Sequence, residues 1–414
     1  MNIDDRSQIR KCTSCQMCGA VCPTGAISIE LNTDGFYRPV VDTGKCIDCG
    51  MCVRSCYKFD SGIRMTDGFE GKSLYSAWAR NPEVVRDTTS GGIADLMARK
   101  LIEQGYRCIG VVYDTEANRA EGKEASTAED VAAFRGSKYI QSYSVEAFRS
   151  LVKNCRKEKY AVFGLPCQIY AVDRFLRAKG CREDHVLIDL YCHGCPSLNL
   201  WTKYVDEVVE KTGATKVLSV NFRSKIRGWG NFYVVVVVVV VVVDGIPTPV
   251  TVVSPRVNDP FYTMFFSDRV LNDSCPDCKL RSTLEYTDIR LGDFWGDKFV
   301  DNHKGVSGVT VCSDCGMELF GSIAFDVECE RQPFSSFIKY QSYGRDYRCD
   351  MSGRGELLAL LADKDVKLND VVVAYKRSLP LKSRLTLQAK NLIKLLPQGV
   401  ISSVKGFVYK LRKK

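Results

Sequence analysis

Residues 12–22 read CTSCQMCGAVC, and residues 46–56 read CIDCGMCVRSC. Both have the form C-x2-C-x2-C-x3-C, and Pro23 follows the first. Three thiolates at such intervals wrap one face of an iron–sulfur cubane, while the fourth lies too far round and ligates the other cluster. The spacing therefore assigns one 4Fe-4S cluster to Cys12, Cys15, Cys18 and Cys56, and a second to Cys46, Cys49, Cys52 and Cys22. Zinc is the competing reading. Zinc sites pair two C-x2-C knuckles, which leaves the third cysteine of each run without a use. Tyr57 stands where the second run would have its proline.

The rest of the composition narrows the setting. A chain of 414 residues suggests two to three domains, and 45% hydrophobic content is that of an ordinary globular protein. Residues 1–11 are mostly polar, unlike a signal peptide. With eight of the 20 cysteines committed as thiolates, a reducing cytoplasm is the expected compartment. No stretch reaches the ~18–20 apolar residues of a membrane span. The ten-valine run Val234–Val243 is too short, ends at Asp244-Gly245, and reads as a buried strand. Residues 371–414 hold eleven Lys/Arg and no Asp or Glu, against a net charge of +9, so the remainder is slightly acidic. A basic tail, not a generally basic surface, gives no reason to expect nucleic acid as a partner.

Along the chain, residues 1–65 read as an α+β ferredoxin-like domain, with Ala26–Leu31 and Pro39–Val41 as its short strands. Residues 66–82 look like a connection. From about 83 helices alternate with short apolar strands: helix Ile93–Gln104, strand Cys108–Tyr113, helix Val145–Lys157, strand Tyr160–Phe163, helix Gln168–Ala178 and strand Val186–Tyr191. That alternation argues for an α/β domain. Residues 217–253 read as strand-rich, and the chain becomes helical from about 356.

Thr88-Thr89-Ser90-Gly91-Gly92 stands directly before a helix, a place suited to phosphate because of free N–H groups and the helix dipole. A plain Ser/Thr cap would look similar. Cys167 follows Gly164-Leu165-Pro166 at one strand end, Cys192 and Cys195 follow the next, and Cys275 and Cys278 form a further C-x2-C. Carboxyl ends of parallel strands share one edge, so Cys167 and Cys192 can converge with the 275–278 knuckle closing over them. That set suits a third cubane, with Cys195 spare; zinc on the two C-x2-C pairs and scattered buried thiols are the alternatives. Cys312 and Cys315 have no partner motif and read as ordinary thiols, as do Cys108, Cys155, Cys181, Cys329 and Cys349. Only His185, His193 and His303 are present, which argues against imidazole metal chemistry and a Ser-His-Asp hydrolase. There is no G-x-G-x-x-G after a strand and no Walker motif.

Residues 73–345 resemble the deazaflavin-coenzyme (factor 420) hydrogenase/dehydrogenase beta-subunit family. The resemblance rests on Thr89–Gly92, Gly136–Ser142, Gly164–Gln168, Asp189–Gly194, Cys275–Cys278 and Asp288–Gly296, in family order. It implies an α/β flavin-binding domain in two parts, 73–155 and 156–345, that holds FAD without a Rossmann fold. Thr89, Ser90, Gly91 and Gly92 would meet the pyrophosphate. Lys138, Tyr139, Gln141 and Ser142 would line the flavin, with Asp293 and Trp295 nearby. It favours Cys167, Cys192, Cys275 and Cys278 as ligands of the third cluster, with Cys195 at a non-ligand position. Lys138, Tyr139 and His193 are candidate catalytic proton donors.

The expectation is a flavin-dependent oxidoreductase fed by a redox partner protein or reduced carrier. Its electrons would pass through the clusters to FAD and then to a deazaflavin coenzyme or an intermediate of polysaccharide biosynthesis. A non-catalytic electron-relay subunit and a zinc-stabilised binding protein are the other classes. Residues 346–414 form a helical basic tail. Its helix Leu381–Leu396 carries Leu381, Leu385, Ala389, Leu392 and Leu396 on one side and Lys382, Arg384, Lys390 and Lys394 off it. Such a helix suits peripheral docking on the inner membrane surface.

Overall fold

Two short strands and two one-turn helices build the cysteine-rich module. In the computed structural model, which describes residues 1–65, 68–231, 233–241, 247–344, 350–396, 400 and 403, β1 (Ile27–Leu31) and β2 (Tyr37–Val41) pair antiparallel. Asn32 closes the turn between them by accepting from the Phe36 N–H at 2.8 Å. Helices Met17–Val21 and Met51–Arg54 are entered through left-handed residues, Gln16 at φ 70° and Gly50 at φ 71°. The chain thus turns sharply inside each cysteine run.

The remaining strands are β3 (Ser73–Ala79), β4 (Arg107–Asp114), β5 (Arg119–Ala125), β6 (Ser142–Tyr143), β7 (Tyr160–Phe163), β8 (Val186–Leu190), β9 (Ala214–Ser224), β10 (Tyr233–Val241), β11 (Pro247–Pro255), β12 (Ile289–Asp293), β13 (Ser307–Val311) and β14 (Val327–Gln332). Nine of them form one sheet in the order β14-β3-β13-β12-β8-β7-β4-β5-β6. Its centre, β12-β8-β7-β4, is parallel. Helices Ile93–Glu103, Val145–Asn154 and Pro166–Lys179 lie close to their expected bounds. The sheet is nevertheless mixed: β13, β3 and β14 join through antiparallel pairs, as does β5. Helix-length crossovers join the parallel strands, whereas the 294–306 connection between β12 and β13 has none, so that pair runs antiparallel.

The strand-rich region is a three-stranded sheet, β11-β10-β9. Within the valine run, Val234, Val236 and Val238 are buried beside Trp201, Phe222 and Phe261. Val242, Val243 and the Asp244-Gly245 turn lie outside the described residues. Helices Arg354–Ala362 and Leu368–Ser378 add Leu357, Leu361, Val371 and Val372 to the same core. Helix Leu381–Leu395 leaves Leu381, Leu385 and Leu392 exposed. Past Leu396 only residues 400 and 403 are described, and the side chains of Lys390 and Lys394, like Cys349, lie outside the described set. No helix among the described residues is long and apolar enough to cross a membrane.

The cysteine module is seated on the large domain by neutral hydrogen bonds. Gln16 donates to the Ser142 carbonyl and accepts from the Ser144 N–H, both at 2.7 Å. Gln141 donates to the carbonyls of Gly35 at 2.9 Å and Pro196 at 3.0 Å. The Leu198 N–H donates to Gly35 at 2.8 Å, and Ser197 to Asp34 at 2.6 Å.

Gly35 has φ +77°, and a Cβ there would sit 2.5 Å from Ser197 Oγ and 2.8 Å from the Asn199 nitrogen. Gly35→Ala is expected to cost about 1–3 kcal/mol and to loosen this seam. Denaturant melts and limited proteolysis check it: faster release of the N-terminal module is expected, and an unchanged cleavage pattern would count against the seam.

Candidate functional site

The carboxyl edge of the parallel strands gathers the later cysteines. After β7 the chain turns through Gly164-Leu165 into helix Pro166–Lys179, which places Cys167 in its first turn. After β8 it runs through Cys192 to Cys195, with Gly194 at φ 148°. The 272–278 loop folds back on them, the Asn272 N–H donating to the Cys195 carbonyl at 2.7 Å and the Cys275 N–H to the Asn272 carbonyl at 2.9 Å. Arg281 holds both segments, donating to the carbonyls of Cys192 at 3.3 Å and of His193 and Cys275 at 3.0 Å each.

Behind them, Arg290 pairs with Asp189 through contacts of 2.8 and 2.5 Å, with both side chains fully buried. The same guanidinium donates to the carbonyls of Leu280, Arg281 and Thr283.

All five thiols of this edge converge. Cys192 is pushed up to about 11, by burial first and by Cys278, with Arg281 pulling the other way, and Cys275 up to about 12, by burial and then by Cys192 and Cys278. Cys167 is raised by burial and then by Cys15, Cys192, Cys278 and Cys195. Cys195, expected as a spare, stands in the group, raised by burial and by Cys275 and Cys192. Cys312 and Cys315 do not join it: after burial, the charges that act on them are Arg290 and Asp189 for one, Asp288 and Arg182 for the other.

In the N-terminal module one cavity is lined by Cys12, Cys15, Cys18, Cys52 and Cys56. The last cysteine of the second run thus faces the first three of the first run. Cys18 is raised by burial and then by Cys15, Cys12 and Cys56. Cys52 is raised by burial and by Cys22, and Cys49 is exposed.

The two cysteine groups adjoin, because Cys15 is the foremost neighbouring thiol of Cys167. The Tyr57 hydroxyl, next to Cys56, accepts from the Lys279 N–H, next to Cys278, at 3.0 Å. The described cysteines are all free thiols. Among the described residues no three His, Cys, Asp or Glu side chains surround a single-ion position. Donors that are thiols throughout suit iron–sulfur clusters or zinc.

The residues expected around a flavin divide into three groups. Tyr139, Asp293 and Trp295 come together through Arg223, which donates to the Tyr139 hydroxyl and to Asp293 at 2.8 Å each and lies over the Trp295 ring. Trp229 stacks on Trp295 at 4.3 Å and donates to Asp293 at 2.9 Å.

Thr89, Ser90, Gly91 and Gly92 lie beside this group at the same edge, but much of their hydrogen bonding is internal. Ser90 donates to the Val306 carbonyl at 2.8 Å, the Gly91 N–H to Ser307 Oγ at 3.0 Å, and Thr89 accepts from the Ser137 N–H at 2.8 Å. A side chain on Gly91 would collide with the Ala77 carbonyl, so the fold itself requires that glycine. Lys225 fastens this loop by donating to the Ser90 carbonyl at 2.8 Å and to that of Lys304 at 2.6 Å.

Gln141 and Ser142, the second group, are buried at the seam. The Lys138 ammonium, the third, caps a turn by donating to the Phe134 and Arg135 carbonyls at 3.1 and 2.9 Å, although burial pushes it down to about 7. His193 pairs with Asp268 at 2.9 Å and packs on Phe265, as Tyr139 does. Sequence reasoning missed Arg223, Lys225, Trp229 and Arg281. Only Trp229, between two glycines, carried any local signal.

Residues 157–336 match the model of the C-terminal region of the coenzyme F420 hydrogenase/dehydrogenase beta subunit, and residues 11–59 match the 4Fe-4S dicluster domain. Over the first of these stretches the chain is similar to the hydrogenase/dehydrogenase beta-subunit family. It is an iron–sulfur redox protein related to the beta subunits of that family.

An F(420)H(2) dehydrogenase subunit from Methanosarcina mazei is 26% identical over 189 residues, 44% of this chain and 53% of that one. An NADH-quinone oxidoreductase subunit from Pelobacter propionicus is 36% identical over 81 residues, 17% of this chain and 42% of that one. The chain spans about half the length of these relatives. A chain of the F420-reducing nickel–iron hydrogenase complex of Methanosarcina barkeri superposes with TM-score 0.42 at 18% identity, over 75% of this chain and 94% of that one. That likeness is too distant for residue-level comparison.

Removing one partner of a buried ion pair costs about 3–5 kcal/mol. Arg290→Met is therefore expected to destabilise the protein by at least that amount, and the double change with Asp189→Leu to recover only the part due to the unpaired carboxylate, because the carbonyls of Leu280, Arg281 and Thr283 still lose their donor. Denaturant titration of both variants checks this; equal losses in the single and double variants would exclude the pair as the cause.

Proposed function

We propose that this chain is a flavin-dependent oxidoreductase that passes electrons through three 4Fe-4S clusters to FAD and on to a substrate. Cys12, Cys15, Cys18 and Cys56 hold the first cluster, and Cys46, Cys49, Cys52 and Cys22 the second. Cys167, Cys192, Cys275 and Cys278 hold the third. Tyr139, Asp293 and Trp295 contact the flavin ring, and the Thr89–Gly92 loop its phosphates. When bound, clusters supply one-electron steps and a flavin links them to a two-electron transfer.

The observation that carries this reading is the hydrogen bond from the Lys279 N–H to the Tyr57 hydroxyl at 3.0 Å, which joins the chain beside Cys278 to the chain beside Cys56. The order of carriers follows: exposed Cys49 marks the outer end, and the flavin side of the sheet edge marks the inner end. Arg223, Asp293 and Trp229 orient what binds at that inner end, and Tyr139 and His193, both against Phe265, are placed to hold a proton there.

The substrate class is a deazaflavin coenzyme, by the names of the relatives, or an intermediate of polysaccharide biosynthesis. Those names also describe parts of larger assemblies, which favours a second reading: a relay subunit that gives its electrons to a partner protein and turns over no substrate alone.

Anaerobic purification with iron, sulfide, zinc and flavin measured on one sample tests the proposal. About twelve iron and twelve sulfide per chain with one FAD is the expected result. Cys167→Ser is expected to leave about eight iron. Zinc in place of the last four iron would make the inner site structural, and absent flavin would leave the relay reading.

The tail carries a further expectation. Exposed Leu381, Leu385 and Leu392 with only basic charges nearby suit an anionic membrane surface. Because Val371 and Val372 are core residues, the truncation must begin at Leu381. It is expected to abolish co-sedimentation with vesicles containing anionic lipid; unchanged binding would exclude the tail as the anchor.

A further inference from the structure

Among the charged residues of the cysteine module, residues 1–65, only Lys58 is buried, with 7% of its surface exposed. It stands two positions after Cys56 in the single turn Tyr57–Phe59, and its backbone N–H donates to Cys56 Sγ at 3.4 Å. Its ammonium donates to the Ile3 carbonyl at 3.0 Å and lies over the Phe59 ring, 5.8 Å from the centroid. Lys58 and Ile3 both line the cavity of Cys12, Cys15, Cys18, Cys52 and Cys56. Among the described residues of that lining, the cysteines apart, Lys58 alone is charged.

A buried ammonium needs a counter-charge, because an unpaired charge away from water is heavily penalised. Among the described residues no carboxylate pairs with Lys58: Asp60, two positions on, is taken by Arg174 at 2.9 Å and by the Tyr170 hydroxyl, and Asp5 accepts from the Ser7 N–H at 2.8 Å. The Ile3 carbonyl is neutral and occupies one of the three donors an ammonium carries. What remains nearby is sulfur. Burial and then Cys15 hold the Cys56 thiol well above its ordinary value, and Lys58 pulls it the other way. Four thiolates carrying a cubane form an anion, and net charge and solvent exposure are among the influences that set its potential.

We infer that Lys58 is the counter-ion of the cluster held by Cys12, Cys15, Cys18 and Cys56, and the residue that raises its reduction potential. This role rests on the cluster reading, to which it adds the residue that tunes one carrier. An electron added to a buried anion gains little from water, so burial by itself makes such a site hard to reduce. A fixed cation in the wall offsets that penalty. The second thiol set reaches water at exposed Cys49, where solvent answers the charge. Without Lys58 the electron would meet an uphill step on passing from the exposed set to the buried one.

The test is a redox titration of the anaerobically purified full-length protein, followed by electron paramagnetic resonance, with iron and sulfide recorded for every variant. Lys58→Gln removes the charge and keeps a donor for the Ile3 carbonyl, whereas Lys58→Arg keeps both. In Lys58→Gln one 4Fe-4S signal is expected to move to lower potential by at least tenfold in its one-electron equilibrium, about 59 mV, while the others stay in place. Lys58→Arg is expected to titrate as the wild type does. Loss of about four iron in Lys58→Gln but not in Lys58→Arg would support the same counter-ion role; equal loss in both would overturn it, by making the shape of the lysine the requirement. Unshifted potentials in a fully loaded Lys58→Gln overturn the inference alone. A wild type without 4Fe-4S signals overturns the cluster reading, and the inference with it.

Discussion

Asp189 and Arg290 stand opposite one another on neighbouring parallel strands, and neither side chain touches water. Such a pair gains little unless further hydrogen bonds satisfy what the carboxylate leaves over. Here every nitrogen of the guanidinium has a partner: besides Asp189, the Tyr286 hydroxyl and three carbonyls of the 280–283 turn accept from it. One planar fork therefore fixes the adjacency of β8 and β12, the path of the turn, and through neighbouring Arg281 the spacing between Cys192 and Cys275. A lysine, with a single point of charge, could not reach these directions at once.

The seam between module and domain uses a different chemistry. Gln16 lies between Cys15 and Cys18, and its amide reaches across to Ser142 and Ser144. Gln141 makes the reverse reach to Gly35. The loop that carries the thiols is thus the loop that docks. These amide bonds are insensitive to salt, which screens charges and leaves them alone. Charged contacts cross the seam as well: Arg38 pairs with Asp273 at 3.0 Å, and Asp60 accepts from Arg174 at 2.9 Å and from the Tyr170 hydroxyl.

The elements legible in the sequence were those with local rules. Thiol spacing along a few residues, a helix after Thr88–Gly92 and the short apolar strands all report on neighbours in the chain. The antiparallel half of the large sheet was not legible, since β3 pairs with strands more than 200 residues away. The backbone partners of Gln141 and Lys138 were not legible for the same reason. A motif names the residues, but whether a side chain faces a ligand or a neighbouring backbone depends on partners such as Gly35 and Pro196 that no local pattern reveals. Arg223 was invisible because nothing around Asn221–Ser224 distinguishes an inward arginine from a surface one.

The valine strand has a property that its neighbours lack. Every second valine of β10 faces the aromatic core, and all its side chains from Val234 onward are identical. Sliding by two residues would present the same surface to the core, so the side chains themselves give the strand no address. What places it is its ends, Tyr233 opposite Ser224 and Pro255, and the irregularities in its pairing with β9. Gain or loss of valines in even numbers would preserve the inside–outside alternation, and an odd number would invert it for the residues that follow. Such a run behaves as a ruler marked only in pairs.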